Sequence, residues 1–289
     1  TLGLLPGLRK LSLHDNQIGG SIPSSLGFCP NLRGVQLFNN RLTGSIPLLA
    51  NSTLLQSLDL SNNLLTGAIP YSLTHSFKLY WLNLSFNSFS GPLPASWGGN
   101  SKSLTFLSLQ NNNLSGSLPN SLGSLRRLQN LILDHNFFTG DVPASIGTLS
   151  ELNELSLSHN KFSGAIPNET LSNLSRLKTL DISNNALNGN LPASLGRLRS
   201  LTLLNAENNL LDNQIPQSIA NISNLSVLIL SRNQFSGHIP SSFDSQRSLR
   251  QLDLSLNNFS GEIPVLLAKK FNSLNLFNVS NSLSGSVPP

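Results

Sequence analysis

The chain has 289 residues, 38% hydrophobic but only 11% charged, less than half the ~25% of an ordinary soluble protein. A single cysteine, Cys29, excludes a disulfide framework or a cysteine-based zinc site within this stretch, and apolar runs of about four residues fall far short of the ~20 that a membrane-crossing helix needs. The formal charge of +5 suits a polyanion only if the bases converge on one recognition surface.

One wording, LxLxxNxLxGxIP, recurs from end to end. Its asparagine falls at Asn16, Asn40, Asn63, Asn87, Asn112, Asn136, Asn160, Asn185, Asn209, Asn233, Asn257 and Asn281, a span of 265 residues in 11 intervals of 23 to 25. Twelve of the 16 prolines close the same motif, from Pro23 to Pro288. Within one coil, alternation makes Leu131-Ile132-Leu133 a short strand, with Leu131 and Leu133 pointing in and Ile132 out. Asn136 then turns the chain, and its amide can satisfy backbone groups that the turn leaves unpaired. Gly140 supports the next bend, and Val142-Pro143 is extended at an edge, because proline cannot donate to a central ladder. Ser145-Ile146-Gly147 and Leu149 form a loose helical or 3-10 turn back to the next strand. One coil cannot bury its apolar face alone, whereas stacked coils can. Twelve coils at ~4.8 Å per step predict a body about 50 Å long, with ends that fray at Thr1 and Pro289.

The period lies in the 20–29 residue range of leucine-rich repeats. Segments such as Asn113-Leu114-Ser115-Gly116-Ser117-Leu118-Pro119 and Asn258-Phe259-Ser260-Gly261-Glu262-Ile263-Pro264 resemble the plant-specific class of that family, found in receptor-like kinase ectodomains, receptor-like proteins and polygalacturonase inhibitors. Leu37-Phe38-Asn39-Asn40-Arg41-Leu42, Leu82-Asn83-Leu84-Ser85-Phe86-Asn87 and Ala268-Lys269-Lys270-Phe271-Asn272-Ser273 read like the inflorescence meristem receptor-like kinase group. The resemblance implies an α/β solenoid of about 12 repeats with a parallel sheet on its concave face, forming a single domain over 1–289. It implies the extracellular ligand- or partner-binding part of a plant receptor-like kinase at the plasma membrane. The ligand would be a secreted peptide or protein, with a co-receptor ectodomain as a possible second partner. The rival is a secreted inhibitor of a cell-wall-degrading enzyme. Neither needs a cofactor or a catalytic group in this chain.

The chain departs from the family pattern in several places. The paired-cysteine caps, the transmembrane helix and the kinase domain are absent, no leader segment opens the chain, and it reads as an excised piece. Asn213 replaces the motif glycine. Near the end Leu274, Phe277 and Val279 fit the strand only if one residue is missing before Asn281, and the threading of Leu266–Ser273 is in doubt for the same reason. Cys29 stands where other coils place Leu125 or Leu149 and reads as a buried small hydrophobe.

The outward positions of the strands carry Asp15, Asp59, Asp134, Glu154, Asp181, Glu207 and Asp253 against only Lys10 and Arg232, leaving the arginines of the turns, such as Arg126 and Arg127, off that face. A nucleic-acid partner is therefore not expected there, although aspartate is also common wording in these repeats. Aromatic residues at outward positions are more telling. Phe38, Trp81, Phe86 and Phe106 interrupt a polar ladder, flanked by Asp134, His135 and His159, and we expect the partner site at these seven residues. A second apolar group comprises Leu203, Val227, Ile229 and Leu256. His135 and His159 beside Asp134 are the nearest thing to a metal set, and they read as solvated surface or a pH-sensitive contact rather than ligands. No G-x-S-x-G or H-E-x-x-H motif occurs. Nine sequons are present, at Asn51, Asn83, Asn113, Asn168, Asn173, Asn221, Asn224, Asn258 and Asn278. That number follows from a composition rich in asparagine and serine, so secretion rests on the resemblance, and glycosylation on secretion.

Overall fold

A computed structural model describes residues 5–48, 53–97, 102–264 and 274–286, apart from the side chains of Glu169, Asp244 and Ser245. The doubtful stretch Leu266–Ser273, the sequon Asn51 and both chain ends lie outside the described residues. The chain forms two compact units, 1–139 and 140–289.

In the first unit six three-residue strands pair in parallel and in chain order: Lys10–Ser12, Gly34–Gln36, Ser57–Asp59, Trp81–Asn83, Phe106–Ser108 and Asn130–Ile132. In the second unit Glu154–Ser156, Thr179–Asp181, Leu203–Asn205, Val227–Ile229, Gln251–Asp253 and Leu276–Asn278 do the same. This is the expected repeat solenoid, one rung per coil and twelve coils in all. The inward leucines carry it. Leu131 and Leu133 are fully buried and Ile132 is half-buried, as alternation requires.

The motif asparagine is structural. Asn136 donates to the carbonyls of Leu109 (2.9 Å), Leu133 (3.1 Å) and Asp134 (3.2 Å), and its Oδ1 accepts from the Leu114 amide at 3.0 Å. Asn63, Asn112, Asn209 and Asn233 repeat these bonds within their units. Of the four groups that Asn136 bonds, the Asp134 carbonyl also accepts from the Asn111 amide (3.0 Å), so the side chain matters most to the other three. After the second bend Pro143 holds φ at −68° and opens a short 3-10 turn, Ala144–Thr148, and Pro23, Pro70, Pro119, Pro192, Pro216 and Pro240 open others. Asn168–Ser172 is a five-residue α-helix at the same place.

Two features go beyond the sequence reading. The LxG segments are not merely extended, because they form a second parallel ladder, with Arg41–Gly44, Leu64–Gly67, Ser88–Gly91 and Asn113–Gly116 in the first unit. In the second unit Lys161–Ala165, Ala186–Gly189 and Leu210–Leu211 form such a ladder. It stops where Asn213 replaces glycine, and Ser236–Gly237 with Asn258–Phe259 pair separately. Asn213 takes the left-handed turn conformation (φ 62°) that glycine takes at φ 70–86° in the other coils. The last coil is bonded differently from the others. Asn281 donates to Leu254 O in the usual way, but its Oδ1 accepts from the backbone amide of Asn257, the motif asparagine of the coil before, whereas Asn257 Oδ1 accepts from Phe235, two residues past the motif asparagine of the coil before it. Cys29 is fully buried, as expected.

Candidate ligand-binding face

In a parallel ladder, residues at one position of successive strands stand in a column about 4.8 Å apart. Trp81 and Phe106 occupy the leading column and pair across neighbouring strands. Their rings stack face to face, with centroids 3.8 Å apart and planes 6° from parallel, and Trp81 remains 37% exposed. Ser57 lies on the rung before them and Asn130 on the rung after, so the two rings form an apolar step bounded by small polar residues.

Phe86 lies in a different column, the residue immediately before the motif asparagine. Every coil from the first to the eleventh turns there with φ between 51° and 57°. Asparagine and aspartate tolerate this left-handed conformation, whereas other side chains are held there against a cost of order 1 kcal/mol. In the first unit the column runs Asp15, Asn39, Asn62, Phe86, Asn111 and His135. Asn62 donates to Asn39 (2.8 Å) and Asn39 to Asp15 (2.6 Å), a side-chain ladder that stops at Phe86, which is 49% exposed. Phe86 therefore occupies a strained, outward position without the residue type that the turn favours, and His135 stands outward in the same column.

Asp134 is nearly buried. His135 Nδ1 lies 3.1 Å from its Oδ2, and Gln110, with its amide nitrogen turned inward, donates to both carboxylate oxygens at 3.1 and 3.3 Å. The carboxylate is thus fixed in place with one imidazole beside it. Phe38 stands apart from Trp81, two rungs away, and stacks instead on His14 with centroids 4.3 Å apart. His14 Nδ1 is 2.7 Å from Asp15, and the Asn39 amide and then His14 hold the Asp15 carboxyl below its ordinary value. The sequence reading passed over His14. The available signal was its position 24 residues before Phe38, in the same column. His159 belongs to the second unit, where its Nε2 lies 3.3 Å from Asn184 Nδ2.

In the second unit Leu203 pairs with Val227 and Asn205 with Ile229, giving a half-buried aliphatic patch. Beyond it Arg232 and Glu207 form an exposed ion pair at 3.5 Å, and Leu256 is 55% exposed. Among the described residues no three His, Cys, Asp or Glu side chains gather as a metal set, and no helix is long and apolar enough to cross a membrane. Of the sequons, Asn113, Asn168, Asn173, Asn221, Asn224 and Asn258 are exposed, while Asn83 and Asn278 are half-buried. Asn83 lies within the strand beside Trp81, with its amide nitrogen on Asp59 (3.3 Å) and its oxygen accepting from Ser85 (2.7 Å).

Leucine-rich repeat models match residues 7–29, 54–76, 78–100, 103–125, 127–149, 150–211, 224–245 and 248–269, so the chain belongs to the leucine-rich repeat family. Its structure is similar to plant receptor ectodomains. The Arabidopsis receptor kinase HAESA, in complex with the peptide hormone IDA and the co-receptor SERK1, matches with a TM-score of 0.84 and 35% identity over 99% of this chain and 52% of that one. A TDR receptor matches with 0.84 and 31% over 98% of this chain and 53% of that one. The plant peptide hormone receptor RGFR1, in complex with RGF2, matches with 0.80 and 30% over 99% and 54%. The chain thus spans about half the length of these receptors. No curated protein matches it.

Proposed function

We propose that the chain is the ligand-binding part of a plant leucine-rich repeat receptor-like kinase, akin to the inflorescence meristem group. In this reading 1–289 is one repeat domain on the extracellular face of the plasma membrane, and it recognises a secreted peptide by the first-unit sheet face. The carrying observation is the exposed Trp81–Phe106 stack within an otherwise polar ladder. Aromatic rings bury large area with few rotors to fix, and such residues dominate hot spots. An apolar peptide side chain would lie on this step. The fixed Asp134 carboxylate would orient a basic or neutral group, and Phe86 and His135 would border the track. Phe38 and His14 extend the first-unit surface on the rungs before the stack, while His159 lies in the second unit.

Three receptor ectodomains of similar structure, two of them bound to peptide hormones, support this reading, and a co-receptor ectodomain follows from one of them. No catalytic chemistry is required, because signal output would come from a separate domain. Sugars are proposed at the exposed sequons, with Asn83 unmodified because its amide is held on both sides. The test is calorimetric titration of the chain with a panel of synthetic secreted-type plant peptides and, separately, with a polygalacturonase. Saturable peptide binding without enzyme inhibition is expected. Inhibition of the enzyme with no peptide bound would favour the inhibitor class instead.

A further inference from the structure

Charge is divided unequally between the two units. Residues 1–139 hold eight Lys and Arg against three Asp and Glu, whereas residues 140–289 hold ten of each, so the whole excess of +5 lies in the first unit. Its three acids all sit on the sheet face and are engaged there: Asp15 by His14 and Asn39, Asp59 by Ser61 and Asn83, and Asp134 by His135 and Gln110. Six of its eight bases lie elsewhere, on the turns that lead into the strands. Arg9 and Arg33 directly precede their strands, Lys78 and Arg127 stand three residues before theirs, and Lys102 and Arg126 four. All six are exposed, and no acid of the unit shares that edge.

The edge also carries rings. Phe77 is 54% exposed and Tyr80 46%, and both belong to the turn that holds Lys78. Backbone bonds fix the spacing of successive turns. The Tyr80 amide donates to Gln56 O (2.9 Å), Thr105 to Tyr80 O (2.9 Å) and Gln129 to Thr105 O (2.8 Å), so each turn advances by one rung. Bases at repeated intervals beside open aromatic faces fit a chain polymer with one carboxylate per sugar, whose ring C–H faces lie on the aromatics while its acids meet the ammonium and guanidinium groups. Each exposed pair is weak, but several along one strand of ligand add up, and an edge of one sign concentrates the polyanion from solution.

We propose that the first-unit edge formed by Phe77, Lys78, Tyr80, Lys102, Arg126 and Arg127 binds a linear acidic polysaccharide of the polyuronate class. The choice of a polyuronate among linear polyanions rests on the plant cell-surface reading proposed above. The edge is separate from the sheet face, so its test stands or falls independently of peptide recognition.

The experiment titrates the full chain at low salt with an unesterified oligogalacturonide, its methyl-esterified counterpart and a single-stranded DNA of equal charge. The unesterified sugar should bind and be displaced by salt, and the ester should not bind. Lys102→Gln/Arg127→Gln should lose ~10-fold or more in affinity, while Lys10→Gln/Arg41→Gln, with the same change in net charge, should lose less than about 3-fold. Tyr80→Ala should weaken the sugar and leave DNA unaffected. Equal losses in both charge pairs, equal binding of the ester, no binding at all, or tighter binding of DNA would each overturn the proposal.

Discussion

The two units are built from the same coil and differ in what they show to solvent. In the first, outward positions carry stacked aromatics, Trp81 on Phe106 and His14 on Phe38, and every acid is kept on the sheet face. In the second, the matching positions carry aliphatic Leu203, Val227 and Ile229, and opposite charges meet directly, Glu207 with Arg232 and Glu151 with Arg176. The backbone does not register this difference. Inward leucines, the amide of the motif asparagine and one left-handed bend fix the coil, which leaves the remaining positions free to diverge. A partner surface can then arise from side chains alone, and the first unit has diverged furthest from the polar default.

The largest expected effect separates inward from outward positions. Leu133→Ala should destabilise by about 2–5 kcal/mol, while Ile132→Ser should cost less than about 1. Denaturant unfolding decides between these, and equal losses would mean the strand register is wrong. Asn136→Ala comes next, at about 2–4 kcal/mol, because the Leu109 and Leu133 carbonyls and the Leu114 amide lose the bonds it makes, while the Asp134 carbonyl keeps the Asn111 amide. A smaller effect tests the bend in the second unit. Asn213→Ala should cost about 1 kcal/mol, and Asn213→Gly should be neutral within a few tenths. If alanine is tolerated as well as glycine, position 213 does not hold the left-handed turn.

The smallest effect is one of pH. The folded-state pKa of Asp15 is depressed, so its contribution is present above the ordinary value of 3.8 and is lost as pH falls through the lower folded value. Asp15→Asn should therefore lose a small part of the stability at neutral pH, and the gap between variant and parent should close as pH falls below about 4. A gap that stays the same at low pH would contradict this assignment.

The spine was legible because it is periodic. The leucines, the asparagine ladder and the buried Cys29 all follow from one repeated wording. The second ladder was not, since a proline-terminated LxG segment reads as an isolated extended edge until neighbouring coils supply partners. Trp81 and Phe106 could be paired from a shared column, but Phe38 could not be separated from them, because its partner His14 looks like ordinary polar surface. The strain at Phe86 was hidden as well. Ordinary coils place Asn or Asp there, which reads as solvation rather than as the conformation that selects them. Phe77 and Tyr80 went unread because turn residues carry no alternation to break.

Recognition by the first unit is tested most directly by the affinity of a peptide ligand for two paired variants, Trp81→Ala/Phe106→Ala and Leu203→Ser/Val227→Ser. The aromatic pair should lose about 2 kcal/mol or more, a ~30-fold weaker complex, while the aliphatic pair should bind nearly as the parent does. If the aromatic variant binds unchanged and the aliphatic variant does not bind, the site lies on the second unit.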